Sequence, residues 1–240
     1  MRHTHWILAL AILVAASPAS AQDPDRRVNW QIGGGWTSVL SDAGDYFGDG
    51  YNFNFGVTVN TSRMFGIEGL YSFNGLGEKD ITLPVSVQPL AGGVPTPFTA
   101  NMNMQYGTVS AVIRDPRDTK VRGYGLTGVG VYYRPVEVTT PGVGFVPGFC
   151  SPWWYYCVPG GFVPVENVVG DRSSTDFGMV FGGGVDFRVS EAASIYFEIR
   201  YHYIWGPEIN TNQVNPLIAG GSTSKNANGQ FLPITIGLRF

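Results

Sequence analysis

The sequence predicts an all-β protein, an eight-stranded antiparallel up-and-down barrel that crosses a membrane, and three observations predict it. The last run, Leu232 to Phe240, sets Leu232, Ile234, Ile236, Leu238 and Phe240 on one parity and Pro233, Thr235, Gly237 and Arg239 on the other. Side chains alternate across a strand, so this is an apolar face backed by a small or polar one. Seven further alternating runs precede it. The connections are long after the first, third, fifth and seventh runs and short after the second, fourth and sixth, the pattern of a barrel with short periplasmic turns and long extracellular loops.

The elements follow in order. Arg2, flanked by His3 and His5, precedes an apolar core from Trp6 to Ala16, and Ala19-Ser20-Ala21 has the small-x-small form of a cleavage site. Residues 1–21 therefore read as a signal peptide, 22–28 as a short periplasmic segment and 29–240 as the barrel domain. The first strand is near Asn29 to Thr37, with Trp30, Ile32, Gly34 and Trp36 together. Tyr51, Phe53, Phe55, Val57 and Val59 carry the second, and Phe65, Ile67, Gly69, Tyr71 and Phe73 the third. After a proline-containing connection, the fourth runs from about Ala100 to Arg114, with Met102, Met104, Tyr106, Thr108, Ser110 and Val112 assigned to the lipid face.

In the fifth strand, Val121 to about Tyr133, two facings compete: Tyr124, Leu126 and Tyr132 against Val129, Val131 and Tyr133. The stretch from about Pro135 to Ser174, rich in proline, glycine and aromatics, reads as the longest loop. The sixth strand, Thr175 to Val189, groups Phe177, Met179, Phe181, Val185, Phe187 and Val189. The seventh is the clearest, with Ile195, Phe197, Ile199, Tyr201, Tyr203 and Trp205 opposed to Tyr196, Glu198, Arg200, His202 and Ile204. Pro233 in the last strand is expected near a loop end, or where its missing amide has no partner to serve.

A soluble barrel would bury the apolar parity and expose the polar one. Here the parity with bulky apolar residues is the regular one, and the other holds Gly, Ser, Thr, Glu, Arg and His. Burying that second set in an apolar core would strand charges, and exposing the first to water would leave a continuous apolar belt. Lipid outside and a polar interior solve both. Composition agrees: 44% hydrophobic, 14% charged, 33 Gly, 12 Tyr and 15 Phe. A formal charge of −3 offers no footprint for nucleic acid. Trp30, Trp36, Tyr71, Tyr106, Tyr203, Trp205 and Phe240 read as parts of the interfacial aromatic belts.

The interior parity carries Glu68, Asp186, Arg188, Glu198, Arg200, His202 and Arg239, and Arg114 is expected inside with them. Eight strands enclose too little space for a wide water channel, so these side chains are expected to pair across the lumen. Gly66, Gly182, Gly184 and Gly237 on the same parity leave room for long neighbours.

Two motifs fail in context. Gly123-Tyr124-Gly125-Leu126-Thr127-Gly128 matches a dinucleotide fingerprint, but it continues into a strand rather than opening a helix. Beyond the signal, His202 is the one histidine, too few for a multi-histidine metal site, and no cofactor is implied. Cys150 and Cys157 bracket Trp153, Trp154, Tyr155 and Tyr156. An exported chain meets an oxidising compartment, so a disulfide there would restrain the loop and present those aromatics as a candidate contact patch.

Gly182-Gly183-Gly184-Val185-Asp186-Phe187-Arg188-Val189, Ile195-Tyr196-Phe197-Glu198-Ile199-Arg200-Tyr201 and the terminal Phe240 resemble the bacterial outer-membrane β-barrel superfamily. The match is to its small eight-stranded group, which includes the OmpA- and OmpW-like barrels. The resemblance implies that Ile234, Ile236, Leu238 and Phe240 form the signal read by the barrel assembly machinery. It implies outer-membrane lipid and lipopolysaccharide as surroundings and periplasmic chaperones during biogenesis, in a Gram-negative bacterium. A peptidoglycan-binding domain is not expected. The expected role is non-enzymatic, structural or surface-interacting, as a monomer, with any extracellular ligand undefined. A narrow channel for small or hydrophobic solutes stands second, and a membrane-embedded lipid-modifying enzyme third.

Overall fold

The computed structural model describes residues 27–81, 98–117, 119–146, 149–151, 156–158, 160–190, 192–210 and 224–240. Eight long antiparallel strands run up and down: β1 (Val28–Leu40), β2 (Gly48–Asn60), β3 (Phe65–Gly77), β4 (Phe98–Arg114), β5 (Val121–Val146), β6 (Gly161–Arg188), β7 (Ser194–Trp205) and β8 (Gly229–Arg239). Their order, β3-β2-β1-β8-β7-β6-β5-β4, returns on itself through β3–β4, so the wall is a closed eight-stranded barrel. Lys79–Ile81 pairs with the outer end of β4 as a short ninth member of the sheet. Closure leaves no unpaired edge, the condition for a sheet to sit in lipid. The β1–β8 seam runs from Gln31↔Arg239 to Leu40↔Gln230, and reciprocal backbone bonds of 2.7 and 2.9 Å between Trp30 and Phe240 finish it.

Alternation is carried through the whole wall. Ile32, Phe53, Phe55, Ile67, Phe197 and Leu238 are exposed on the outside, whereas Gln31, Asn54, Glu68, Tyr196, Glu198 and Arg239 are buried within. In β5 the competition resolves: Tyr124, Leu126 and Tyr132 point inward, and Val129, Val131 and Tyr133 outward.

The facing predicted for the fourth strand is reversed. Met102, Met104, Tyr106, Thr108, Ser110 and Val112 are all buried inside, while Val109 and Ile113 are exposed outside. Arg114 is interior, as expected, but it brings its own parity in with it. Register is the cause: Ser110 lies opposite Glu68, and residues directly opposite in an antiparallel ladder share a face. Tyr106 therefore leaves the aromatic belt and becomes lumen filling. Trp36, Tyr71, Trp205 and Phe240 remain exposed outside, and the Trp205 ring stacks on Phe177 with centroids 5.8 Å apart.

The predicted longest loop is largely strand. β5 and β6 stay paired beyond the barrel as far as Val146↔Gly161, with one register shift at Val138/Thr139. Past the last β4 partner at Thr139, Thr140–Val146 gives an arm of about 23 Å at roughly 3.3 Å per residue. A two-stranded ribbon leaves half its amides facing outward, so Pro141 and Pro164 are accommodated. At the tip Phe149–Ser151 pairs with Tyr156–Val158, which sets Cys150 directly opposite Cys157. Trp153, Trp154 and Tyr155 lie outside the described residues, as do residues 1–26 with the expected signal peptide.

Pro233 sits well inside the ladder, opposite Thr37 of β1. On its other side the β7–β8 ladder holds Ile199↔Ile234 and His202↔Phe231 but carries no pairing between them. Proline has no amide hydrogen for that step, and the barrel accepts a local gap rather than a shift of register.

Candidate functional site

The lumen is filled in layers. Nearest the short-turn end, five strands contribute to a closed ring of charge-assisted bonds. Arg200 in β7 donates from Nη2 to Glu68 Oε1 at 2.7 Å and from Nε to Glu198 Oε1 at 2.5 Å. Tyr124 donates to Glu198 Oε2 at 2.9 Å. Gln31 donates to Glu68 Oε2 at 3.1 Å and accepts from Arg239 Nη2 at 2.7 Å. Arg239 Nη2 comes within 3.5 Å of the Tyr124 hydroxyl, which completes the ring. A branch leaves it where Arg239 Nη1 grips both oxygens of Asp186, at 2.6 and 2.5 Å. The Arg239 guanidinium also lies 4.8 Å from the Tyr124 ring centre and 5.0 Å from that of Tyr196.

Small residues make this packing feasible. A Cβ on Gly184 would stand 2.7 Å from the Tyr124 hydroxyl, and one on Gly237 would stand 2.6 Å from Tyr196 Cε1. Neutral bonds among β1, β2, β3 and β7 continue the polar lining. Tyr196 donates to Asn54 at 2.9 Å, and Thr37 donates to Asn74 at 2.7 Å.

Above the ring comes an aromatic layer. The Tyr132 hydroxyl lies 2.7 Å from His202 Nδ1, and the Tyr106 ring centre is 4.7 Å from the imidazole and 5.1 Å from Tyr132. Met102, Met104, Leu76, Ile204 and Phe231 pack over it as an apolar plug. Arg134 closes the outer end by pairing with Asp176 at 2.5 Å.

The structure thus brings Glu68, Asp186, Glu198, Arg200 and Arg239 together. His202 belongs to the aromatic layer beyond them, bonded to a phenol rather than a carboxylate. Arg188 lines the cavity at the short-turn mouth. Sequence reasoning missed Gln31, Tyr124 and the Arg134–Asp176 pair. Tyr124 and Arg134 share a parity in β5, and fixing that parity from Tyr132 and Leu126 would have placed both inside.

Among the described residues, Glu68, Met104, Tyr132 and His202 at the middle of the lumen are each 0% exposed. The two mouths are separate recesses: one of 360 Å³ at the short-turn end, and one of 710 Å³ at the outer end beside Phe47, Met102, Val136 and Phe231.

A belt of outward apolar residues around a closed antiparallel wall, with its ion pairs inside, defines a transmembrane β-barrel. The chain belongs to the outer membrane protein beta-barrel domain family, whose model matches residues 7–240, and its place is the outer membrane. No curated protein matches it by sequence. Among solved structures it is similar to the attachment invasion locus protein Ail of Yersinia pestis, at 14% identity over 89% of this chain and 97% of that one, with a TM-score of 0.45. It is similar to Neisserial surface protein A at 13% identity, covering 89% and 96% with a TM-score of 0.47. A major outer membrane protein from Thermus thermophilus gives 9% identity, 90% and 99% coverage and a TM-score of 0.47.

Proposed function

We propose that this protein is a sealed, non-enzymatic barrel with a structural and surface-contact role. The observation that carries the reading is the blocked middle of the lumen, where charged ring, aromatic layer and apolar plug leave no exposed lining. Among the described residues, the β5–β6 arm is one segment that faces the outside. Its outer part exposes Val143, Phe145 and Phe162, with the two rings 5.5 Å apart edge to face. Exposed aromatics of this kind mark contact surfaces. In the same reading residues 1–21 are removed on export, Phe240 and its apolar parity are read by the assembly machinery, and a monomer sits among lipid and lipopolysaccharide. A Cys150–Cys157 bridge holds the arm's tip.

The test is planar-bilayer conductance of the purified full-length protein. The wild type should show no stable conductance, and Tyr106→Ala combined with Tyr132→Ala should open discrete steps by emptying the aromatic layer. Stable conductance of the wild type would overturn the sealed reading. A second reading, a narrow route for small hydrophobic solutes, draws on the outer recess and its apolar lining. It requires the Met104–Tyr132 plug to move, so a disulfide pinning that layer would have to abolish uptake.

A further inference from the structure

The short-turn mouth gathers cations from all around the barrel. Its 360 Å³ recess is lined by Arg27, Arg63, Arg114, Lys120, Arg122 and Arg188, with Arg239 at its inner limit. Asp186 is the one acidic side chain among the described lining residues, and Arg239 holds both its oxygens. Seven of the chain's 15 basic residues therefore meet at one recess, in a protein whose formal charge is −3. They come from the approach to β1, two different turns and the ends of β4, β5, β6 and β8, so barrel closure rather than a local basic run assembles them.

Arg114 gives the recess a specific donor. It is only 7% exposed; its Nη1 donates to Asn60 Oδ1, and its Nη2 has no hydrogen-bond partner. A buried guanidinium nitrogen without an acceptor is a site short of an anion. Ser62, Ser190 and Ser194 add hydroxyls to the same lining. Guanidinium forks match the oxygens of phosphate. The volume is at the small end of ligand clefts, about 300–1,000 Å³, and fits a headgroup rather than a polymer.

We propose that this mouth is a binding site for a single phosphate-bearing anion, held by Arg114 with Lys120 and Arg188 at the rim. A phospholipid headgroup and a free phosphate compound share that chemistry. The experiment uses the full-length barrel in uncharged detergent, titrated calorimetrically with pyrophosphate. In parallel, nanodiscs of phosphatidylcholine with a minor fraction of phosphatidylglycerol are analysed for retained lipid.

Saturable one-to-one pyrophosphate binding is expected, weakened about tenfold by Arg114→Gln through loss of a charge-assisted bond. Lys120→Gln combined with Arg188→Gln, at the rim and away from the buried ring, should weaken it comparably. Arg172→Gln at the opposite mouth should not. Selective retention of phosphatidylglycerol, displaced by pyrophosphate, assigns the headgroup; pyrophosphate binding without lipid preference assigns a soluble anion. If Arg114→Gln does not fold, the rim pair decides. Absence of saturable binding in both arms, or affinity indifferent to the rim pair, overturns the proposal.

Discussion

Arg200 neutralises Glu68 and Glu198 together, and all three are at most 3% exposed. Removing one partner from such a group leaves the others charged and without water. Arg200→Met should therefore destabilise the folded barrel by about 3–5 kcal/mol, read from urea unfolding in micelles. Adding Glu68→Gln and Glu198→Gln to it should recover much of the loss, because a group removed whole leaves no orphaned charge. An Arg200→Met protein as stable as the wild type would show the ring to be energetically idle. Gly184→Val tests the space beneath Tyr124. Its Cβ would meet the Tyr124 hydroxyl at 2.7 Å, and overpacking of this kind costs about 1–3 kcal/mol in the same unfolding assay.

At the scale of elements, strand and arm behave as different materials. The barrel parts of β5 and β6 are held by β4 and β7 on their far sides, whereas beyond the barrel the two strands have chiefly each other. Replacing residues 140–167 with a short turn should leave the barrel's unfolding midpoint unchanged while abolishing any surface contact made through the arm. A lost midpoint would mean that the arm braces the wall.

The same division explains what could be read beforehand. β7 was legible because lipid demands bulk at Ile195, Phe197 and Ile199, while the lumen demands polarity at Glu198 and Arg200. β4 misled because the lumen is filled there by Met102, Met104 and Tyr106, and large apolar residues filling a narrow barrel look like residues facing lipid. Arg114, on their parity, was the available clue. The arm was hidden by its prolines and glycines, which suit a twisted ribbon as well as a loop. The ring's carboxylates and arginines could be named from parity alone, but not their pairing, since Gln31 and Arg239 meet across 208 residues of chain.

For the whole molecule, the closed order of strands makes first and last neighbours, and every layer of the lumen draws on strands from both halves of the chain. Contacts this distant in sequence make folding slow, because the loop they close must be ordered before the contacts return anything. The β1–β8 seam therefore sets a time as well as a place. Until Arg239 arrives opposite Gln31, the interior is an open groove, and Glu68, Glu198 and Arg200 remain hydrated along it. When the seam shuts, water must leave the groove and the guanidinium of Arg239 must reach Asp186 in the same event. The ring is therefore complete only when β1 and β8 are paired.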